Sequence, residues 1–199
     1  MIISYKYNFI YFRPKKTGSS TIATVLRANL GNDDVDHKDP ASGEGKEHAH
    51  TEAKEIRKMV SDEFWKRAFK FTSERHPYEK AVSLTYYRIG KRGKSFRAET
   101  RPFEEMLDKV VAGNGYCGFR YYSIDGEPVV DDFIRQESLL TDLKRIGDKL
   151  GLSIPDELPR RKGKFREDQR PAREILSSAQ RDIIYEKCKP EFDLLGYER

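Results

Sequence analysis

The sequence predicts an α/β fold in which helices flank a mainly parallel sheet, formed by a single domain over residues 1–199. Short apolar runs at 7–12, 68–73 and 128–135 are typical of buried strands. Segments with apolar residues at helical spacing alternate with these runs, which favours helices layered on a sheet. The connections are too long for simple hairpins, and parallel strands require such crossovers.

In the first half of the chain, local signals set the predicted boundaries. The first strand stops at Arg13 and Pro14, and Gly31 ends the helix that follows. Thr51 and Ser61 are expected to cap two later helices. The predicted elements are a strand over 7–12, a helix over 19–29, a loop over 31–47, helices over 51–60 and 61–65, and a strand over 68–73.

In the second half, Pro77 is a favourable first residue for a helix, and His76 before it is expected to cap that helix. Gly151 ends a strongly amphipathic helix. The predicted elements are a helix from 77, a basic loop over 90–101, a helix over 103–112, a strand over 128–135, a helix over 137–150, a basic loop over 159–171 and helical structure from 177.

Composition restricts the class of protein. The net charge of +5 and a pI near 9.0 suit an anionic ligand without choosing its class, and 11 Phe with 11 Tyr argue against disorder. Cys117 and Cys188 make neither a ligand cluster nor a disulfide framework, so free thiols in a reducing compartment are expected. No apolar stretch is long enough to span a bilayer and no signal peptide is visible, so a cytoplasmic protein is expected.

The stretch "RPKKTGSST" at 13–21 has the pattern of an anion-binding loop between a strand and a helix. The first N–H groups of a helix have no partner within it, and the helix dipole is positive there. Gly18 allows the backbone a close approach, and a lysine adds a mobile positive charge. The stretch is not a Walker A motif, because no lysine follows the glycine.

The stretch "RHPYEKAVS" at 75–83 is a second candidate anion site. Arg75 comes at the carboxyl end of a predicted strand, and Ser83 lies about two turns into the next helix. An arginine there can hold a phosphate through two parallel hydrogen bonds.

Together the two stretches closely resemble the paired signatures of the sulfotransferases that use 3′-phosphoadenosine 5′-phosphosulfate (PAPS). The resemblance is strongest to the branch that includes carbohydrate sulfotransferases and their bacterial relatives. It extends over nearly the whole chain, through "HTEAKEIRK" (50–58), "VVDDFIRQESLLTDL" (129–143), "PRRKGKFRED" (159–168) and "FDLLGYE" (192–198). It implies the P-loop-like sulfotransferase fold and transfer of a sulfuryl group to an acceptor hydroxyl or amine, with a saccharide or small metabolite as acceptor.

The resemblance also implies roles for particular residues. Arg75 and Ser83 would bind the 3′-phosphate, and a loop with Arg161, Lys162 and Gly163 would close over the nucleotide. The 5′-phosphosulfate would be bound by Lys15, Lys16, Thr17, Gly18, Ser19, Ser20 and Thr21. The family has one residue fewer between proline and glycine, so either Lys15 or Lys16 could be the catalytic lysine; counting from the glycine favours Lys16. No metal is implied, and the product nucleotide would be adenosine 3′,5′-bisphosphate.

An acceptor hydroxyl requires a base, and relatives carry a histidine at the start of a segment like "HTEAKEIRK". His50 is therefore the expected general base, because an imidazole is matched to neutral pH. His48 is the alternative, and Glu52 and Glu55 are further candidates because some relatives use a carboxylate.

Two other functions fit parts of the sequence. A P-loop-like nucleotide kinase or hydrolase would need Mg²⁺ and an aspartate at a strand end, whereas Asp131 and Asp132 are expected to begin a strand. A non-catalytic polyanion-binding protein would use the basic loops at 91–101 and 160–170 and show salt-dependent binding. No nucleic-acid-reading motif is visible, so nucleic acid is not an expected partner.

Overall fold

The computed structural model describes residues 1–36, 49–90, 101–159, 166 and 168–199, and all that follows concerns these residues. Its strands are β1 (Ile2–Ser4), β2 (Phe9–Phe12), β3 (Val35–Asp36), β4 (Phe69–Glu74), β5 (Ser123–Ile124), β6 (Glu127–Pro128) and β7 (Asp132–Arg135). Its α-helices are α1 (Ser19–Arg27), α2 (Ala53–Lys58), α3 (Asp62–Arg67), α4 (Pro77–Gly90), α5 (Arg101–Ala112), α6 (Leu139–Leu150), α7 (Ala172–Ile175), α8 (Ser178–Lys187) and α9 (Lys189–Leu195).

The chain divides into two compact units. The first comprises Met1–Glu74 and Phe119–Arg161, and the second comprises Arg75–Gly118 and Lys162–Arg199. The single domain expected from the sequence stays a prediction, because compactness does not establish whether either unit folds by itself.

The first unit is built on a five-stranded sheet among the described residues, with the order β3-β1-β2-β4-β7. β2, β4 and β7 are parallel, whereas β1 pairs antiparallel with both β2 and β3. The α/β class is thus confirmed, but the sheet is mixed rather than mainly parallel. The sequence predicted connections too long for simple hairpins, and this was wrong at residues 5–8. There a tight turn with Asn8 at φ 53° joins β1 to β2.

Alternation along the strands fills both faces of this sheet. On one face, Phe9, Tyr11 and Phe71 are fully buried in a cluster with residues of α1 and α6. On the other, Ile10 and Phe12 are fully buried in a cluster with residues of α2 and α3. Because successive side chains of a strand point to opposite faces, a four-residue run such as β2 contributes to both layers.

Several predicted helix ends are confirmed. Ser61 caps α3 by accepting a hydrogen bond from the N–H of Phe64 at 3.1 Å, Pro77 begins α4, and Gly151 ends α6 with φ 69°. The cap expected at Thr51 was wrong, because α2 begins after Glu52 and its cap position makes no side-chain hydrogen bond. The loop expected over 31–47 contains β3. Of the strand expected over 128–135, Asp132–Arg135 forms β7 and Pro128 belongs to β6.

The second unit has a helical core around α4. Tyr78, Tyr86, Phe103 and Phe192 are among its buried residues. His76 caps α4 as expected, because its Nδ1 accepts a hydrogen bond from the N–H of Tyr78 at 3.2 Å. Its Nε2–H donates to the carbonyl oxygen of Glu198 at 2.9 Å, which holds the end of the chain against this helix.

Within the described part of the chain, no helix combines the length and the apolar character that crossing a membrane requires.

Candidate functional site

The predicted phosphosulfate loop lies between β2 and α1 in the first unit. Gly18 takes φ 79° at the N-cap of α1, and its carbonyl oxygen accepts hydrogen bonds from the N–H groups of Thr21 and Ile22. No side chain caps this helix. The N–H groups of Ser19 and Ser20 occupy its first turn, where a helix offers them no internal partner. An anion is the natural ligand of such an end, because amides and dipole both favour negative charge.

Buried hydroxyl groups fix the position of this loop. Thr17 is fully buried, and its hydroxyl lies 2.7 Å from that of Ser73 and donates to the carbonyl oxygen of Pro14 at 3.2 Å. Ser73 in turn lies 2.8 Å from the phenol oxygen of Tyr11. The Thr21 hydroxyl donates to the carbonyl oxygen of Pro159 at 3.2 Å. A hydroxyl has one proton to donate, and those of Thr17 and Thr21 are directed to backbone carbonyl oxygens that hold the loop, while their contacts to a phosphosulfate stay a prediction.

The two lysines differ in backbone conformation. Lys16 takes φ 66°, a left-handed value that is uncommon for a residue with a β-carbon and persists where neighbouring contacts enforce it. Both lysines are half-buried, and the charge of Lys15 is one of the effects that lower the pKa of His50. Lys15 is therefore electrostatically close to the expected base, and the choice between Lys15 and Lys16 as the catalytic lysine stays open.

His50 is held beside this loop in one defined tautomer. Its Nδ1–H donates to the carbonyl oxygen of Arg13 at 2.7 Å, which leaves Nε2 as the nitrogen with a lone pair. Burial lowers the pKa of His50 to about 4; the hydrogen bond to Arg13 opposes this, and the charges of Arg13 and Lys15 lower the pKa further. His50 is consequently neutral at pH 7 with Nε2 unprotonated, and its pKa lies below the neutral range that the sequence predicted for the base.

Arg13 is a residue of this site that sequence reasoning missed. Its side chain is 1% exposed, and its Nη1 lies 3.5 Å from Oδ1 of Asp36 in β3. Arg27 of α1 donates to the other oxygen of the same carboxylate. Arg13 is therefore fixed through its side chain while its carbonyl oxygen orients His50. An arginine directly after a buried strand was the available signal.

The alternative bases are in ion pairs or outside the described residues. Glu52 lies 3.3 Å from Nε of Arg120, and Glu55 accepts a hydrogen bond from Lys58 at 3.0 Å. His48 lies outside the described residues, and so do Arg161, Lys162 and Gly163 of the predicted closing loop.

Glu79 organises the predicted 3′-phosphate site of the second unit. Arg75 follows the last residue of β4, and its Nη2 donates to Oε2 of Glu79 at 2.9 Å. Arg166 donates to the same oxygen, and the N–H of Ala172 donates to Oε1 at 2.7 Å. Burial acts to raise the pKa of Glu79, but these hydrogen bonds and the two positive charges outweigh it and hold the pKa below its usual value. Ser83 lies one helical turn after Glu79 and is half-buried.

The acidic residues considered for a kinase lie at the opposite end of the strands. β7 begins at Asp132, as expected, and Asp132 is paired with Arg145 at the amino end of that strand. At the carboxyl end of β4, Glu74 is buried and accepts a hydrogen bond from the Tyr122 phenol at 2.9 Å. Among the residues that the structure describes, no group of three or more His, Cys, Asp or Glu side chains is placed to hold a metal ion.

Gly18→Ala is expected to destabilise the protein by about 2 kcal/mol, from a left-handed φ and from crowding. A β-carbon at Gly18 would lie 2.6 Å from Cδ1 of Leu139, which must then move. Gly126→Ala is the matched control, because Gly126 has φ +85° and no atom within 4 Å of an added β-carbon. We expect it to lose only about 1 kcal/mol. Equal midpoints of the two variants in urea unfolding would contradict the close approach to Leu139.

No family model, no curated protein and no solved structure matches this chain.

Proposed function

We propose that this protein is a sulfotransferase that moves a sulfuryl group from PAPS to an acceptor hydroxyl or amine. The observation that carries the proposal is the grouping at the end of β2. There the uncapped start of α1 follows two lysines, and a neutral His50 is anchored on Arg13, the residue that precedes the loop. An anion site beside a neutral base is what transfer of a charged group to a hydroxyl requires.

In this proposal the 5′-phosphosulfate is bound by the amides of Ser19 and Ser20 and by a lysine of the loop. PAPS, as substrate, supplies the sulfuryl group. The lysine stabilises the negative charge that develops on the leaving 5′-phosphate, while the helix N-terminus holds the non-bridging oxygens. Nε2 of His50 accepts the proton of the acceptor hydroxyl as its oxygen bonds to sulfur. Arg13 keeps the imidazole in the tautomer that this step needs.

The 3′-phosphate is bound by Arg75 and Ser83. A bidentate contact from the guanidinium of Arg75 suits a phosphate dianion. The carboxylate of Glu79 keeps this guanidinium in place. The acceptor is proposed to be polar or anionic, such as a saccharide, because the charge of +5 does not favour a cationic one.

Binding of adenosine 3′,5′-bisphosphate tests this proposal without knowledge of the acceptor. At 100 times its Kd, a ligand that binds only the folded state stabilises it by about 2.7 kcal/mol, which raises the Tm by roughly 5–11 °C for a chain of this size. We expect such a shift for the wild type and its loss in Lys16→Ala and Arg75→Ala.

Two variants serve as matched controls for that experiment. Lys54→Ala removes a lysine that is 63% exposed, and Arg88→Ala removes an exposed arginine from the same helix that follows Arg75. Both should keep the shift. A folded wild-type protein that shows no shift would rule out PAPS as substrate, whereas equal losses in controls and site variants would point to unspecific polyanion binding.

A further inference from the structure

The two cysteines of the chain lie against each other in the second unit, although they are 71 positions apart in sequence. Their sulfur atoms are 3.6 Å apart, and both are free thiols. A disulfide bond is about 2.05 Å long, so a movement of about 1.5 Å would bring the sulfurs to bonding distance.

The backbone around the two residues differs in a way that allows this movement. Cys188 joins α8 to α9: its N–H donates to the carbonyl oxygen of Ile184 at 2.9 Å, and its own carbonyl oxygen accepts from Glu191 and Phe192. Cys117 lies in a turn after α5, where its N–H donates to the carbonyl oxygen of Asn114 at 3.2 Å. A residue in a turn shifts at lower cost than one tied into two helices, so Cys117 is the partner that moves.

The chemistry of the two thiols is also unequal. The Cys188 thiol is fully buried and donates its hydrogen to the sulfur of Cys117, and this hydrogen bond together with burial raises the pKa of Cys188. The Cys117 residue is half-buried and its sulfur accepts that hydrogen bond, so Cys117 is the more accessible of the two thiols to an oxidant from solution. Cys117 is therefore the attacking sulfur and Cys188 the resolving one.

We propose that Cys117 and Cys188 form a redox-active thiol pair that small disulfides of the glutathione type close to an intramolecular disulfide. The Cys117 sulfur attacks one sulfur of the oxidant, whose S–S bond breaks, and the released thiolate takes up the proton of Cys117. The Cys188 sulfur then attacks the Cys117 sulfur and expels the second small thiol, which takes up the proton of Cys188. The protein loses two protons and two electrons, and the oxidant becomes two thiols.

Closure would act on a buried ion pair beside the thiols. The N–H of Gly118, next to Cys117, donates to Oε1 of Glu191 at 2.7 Å. The same oxygen lies 3.6 Å from Nζ of Lys80, which is fully buried in α4. A bond between Cys117 and Cys188 would thus fasten the segment at Gly118 to α9 and, through Glu191, to α4.

The test uses the full chain, in which no third cysteine can compete. The wild type is equilibrated with mixtures of oxidised and reduced glutathione, and thiols are titrated after denaturation while intact mass is recorded. We expect two thiols to fall to none, with loss of two hydrogens, no glutathione adduct and no dimer. The oxidised form should melt several degrees higher, because the bond constrains a long loop of the unfolded chain.

Single variants test the order of attack. Cys188→Ala should retain one glutathione on Cys117, because no sulfur remains to resolve the mixed disulfide. Cys117→Ala should stay unmodified while folded. An adduct in Cys117→Ala but not in Cys188→Ala would overturn the assigned order. A folded wild type that keeps two titratable thiols in excess oxidised glutathione, or that forms dimers instead, would overturn the proposal, and this readout does not depend on either variant folding.

Discussion

His50→Asn should abolish sulfuryl transfer while leaving the affinity for adenosine 3′,5′-bisphosphate within about twofold of wild type. The amide nitrogen of asparagine takes the place of Nδ1 and can still donate to the carbonyl oxygen of Arg13, a bond of 2.7 Å in the wild type. What the variant lacks is the Nε2 lone pair. Loss of a general base costs about 10²–10⁴-fold in rate, to be measured with labelled PAPS and an accepted hydroxyl compound.

The pH dependence of the wild type gives an independent check on His50. Because the pKa of His50 is lowered to about 4, the base is neutral above that pH, so kcat/KM should fall as the pH drops through about 4 and not through 6.5. An acid limb near 6.5, or an active His50→Asn variant, would move the role to another base.

The free energy of unfolding should also depend on pH through the lowered pKa of His50. Between pH 6.5 and about 4 the unfolded chain takes up a proton at His50 that the folded protein does not bind. Wild-type stability should therefore decrease across this window as the pH falls, and His50→Asn should lose less over the same range. Urea unfolding at a series of pH values measures the difference between the two proteins.

Glu79→Ala should lower the free energy of unfolding by about 2–4 kcal/mol, because it leaves two partly buried guanidinium groups and one amide without their shared acceptor. Glu79→Gln keeps an acceptor oxygen without the charge and should lose less. The contribution of Glu79 is present above its ordinary pKa of 4.5 and is lost as the pH falls through its lower value in the folded protein. The difference between wild type and Glu79→Ala should accordingly shrink in acid.

Glu79→Ala also distinguishes two effects of Glu79 on anion binding: the orientation of the neighbouring arginines and the negative charge of its carboxylate. Removing a negative charge beside an anion site should strengthen anion binding if charge alone mattered. If Glu79 holds Arg75 and Arg166 in place, affinity for adenosine 3′,5′-bisphosphate should fall instead, despite the more positive protein. Asp182→Asn is the matched control, because this carboxylate is 60% exposed and pairs with the exposed Arg199. Tighter binding by Glu79→Ala would contradict the positioning role.

The segment that runs from β2 through Gly18 into α1 could be predicted because the sequence patterns that determine it are local. An apolar run, one glycine and periodic apolar residues are all contained in residues 9–26. The same holds for the start of α3 at Ser61 and the end of α6 at Gly151. One capping side chain determines the first, and one left-handed backbone conformation determines the second. β1 and β3 could not be predicted, since they are three and two residues long and exist through pairing with other strands.

The residues that orient the predicted groups escaped sequence reasoning because their partners are distant. In the sequence, Asp36 is one acidic residue in a polar stretch. In the folded protein, Arg13 and Arg27 each contact one of its two carboxylate oxygens. In the sequence, Glu79 looks like an ordinary glutamate in the first turn of α4. Its partners Arg166 and Ala172 lie 87 and 93 positions further along the chain. Spacing along the chain carries no signal for such contacts.

The hydroxyl groups beneath the phosphosulfate loop have a consequence for experiments in salt. Because Thr17 donates to the carbonyl oxygen of Pro14, Ser73 must donate to Thr17 and Tyr11 to Ser73, so the protons along this chain run in one direction, from β2 through β4 into the loop. Burial raises the pKa of Tyr11, which keeps the phenol protonated at the head of the chain. None of these groups is charged. The loop should therefore keep its place at ionic strengths that weaken anion binding to its lysines, and salt titrations of affinity would report on charge alone.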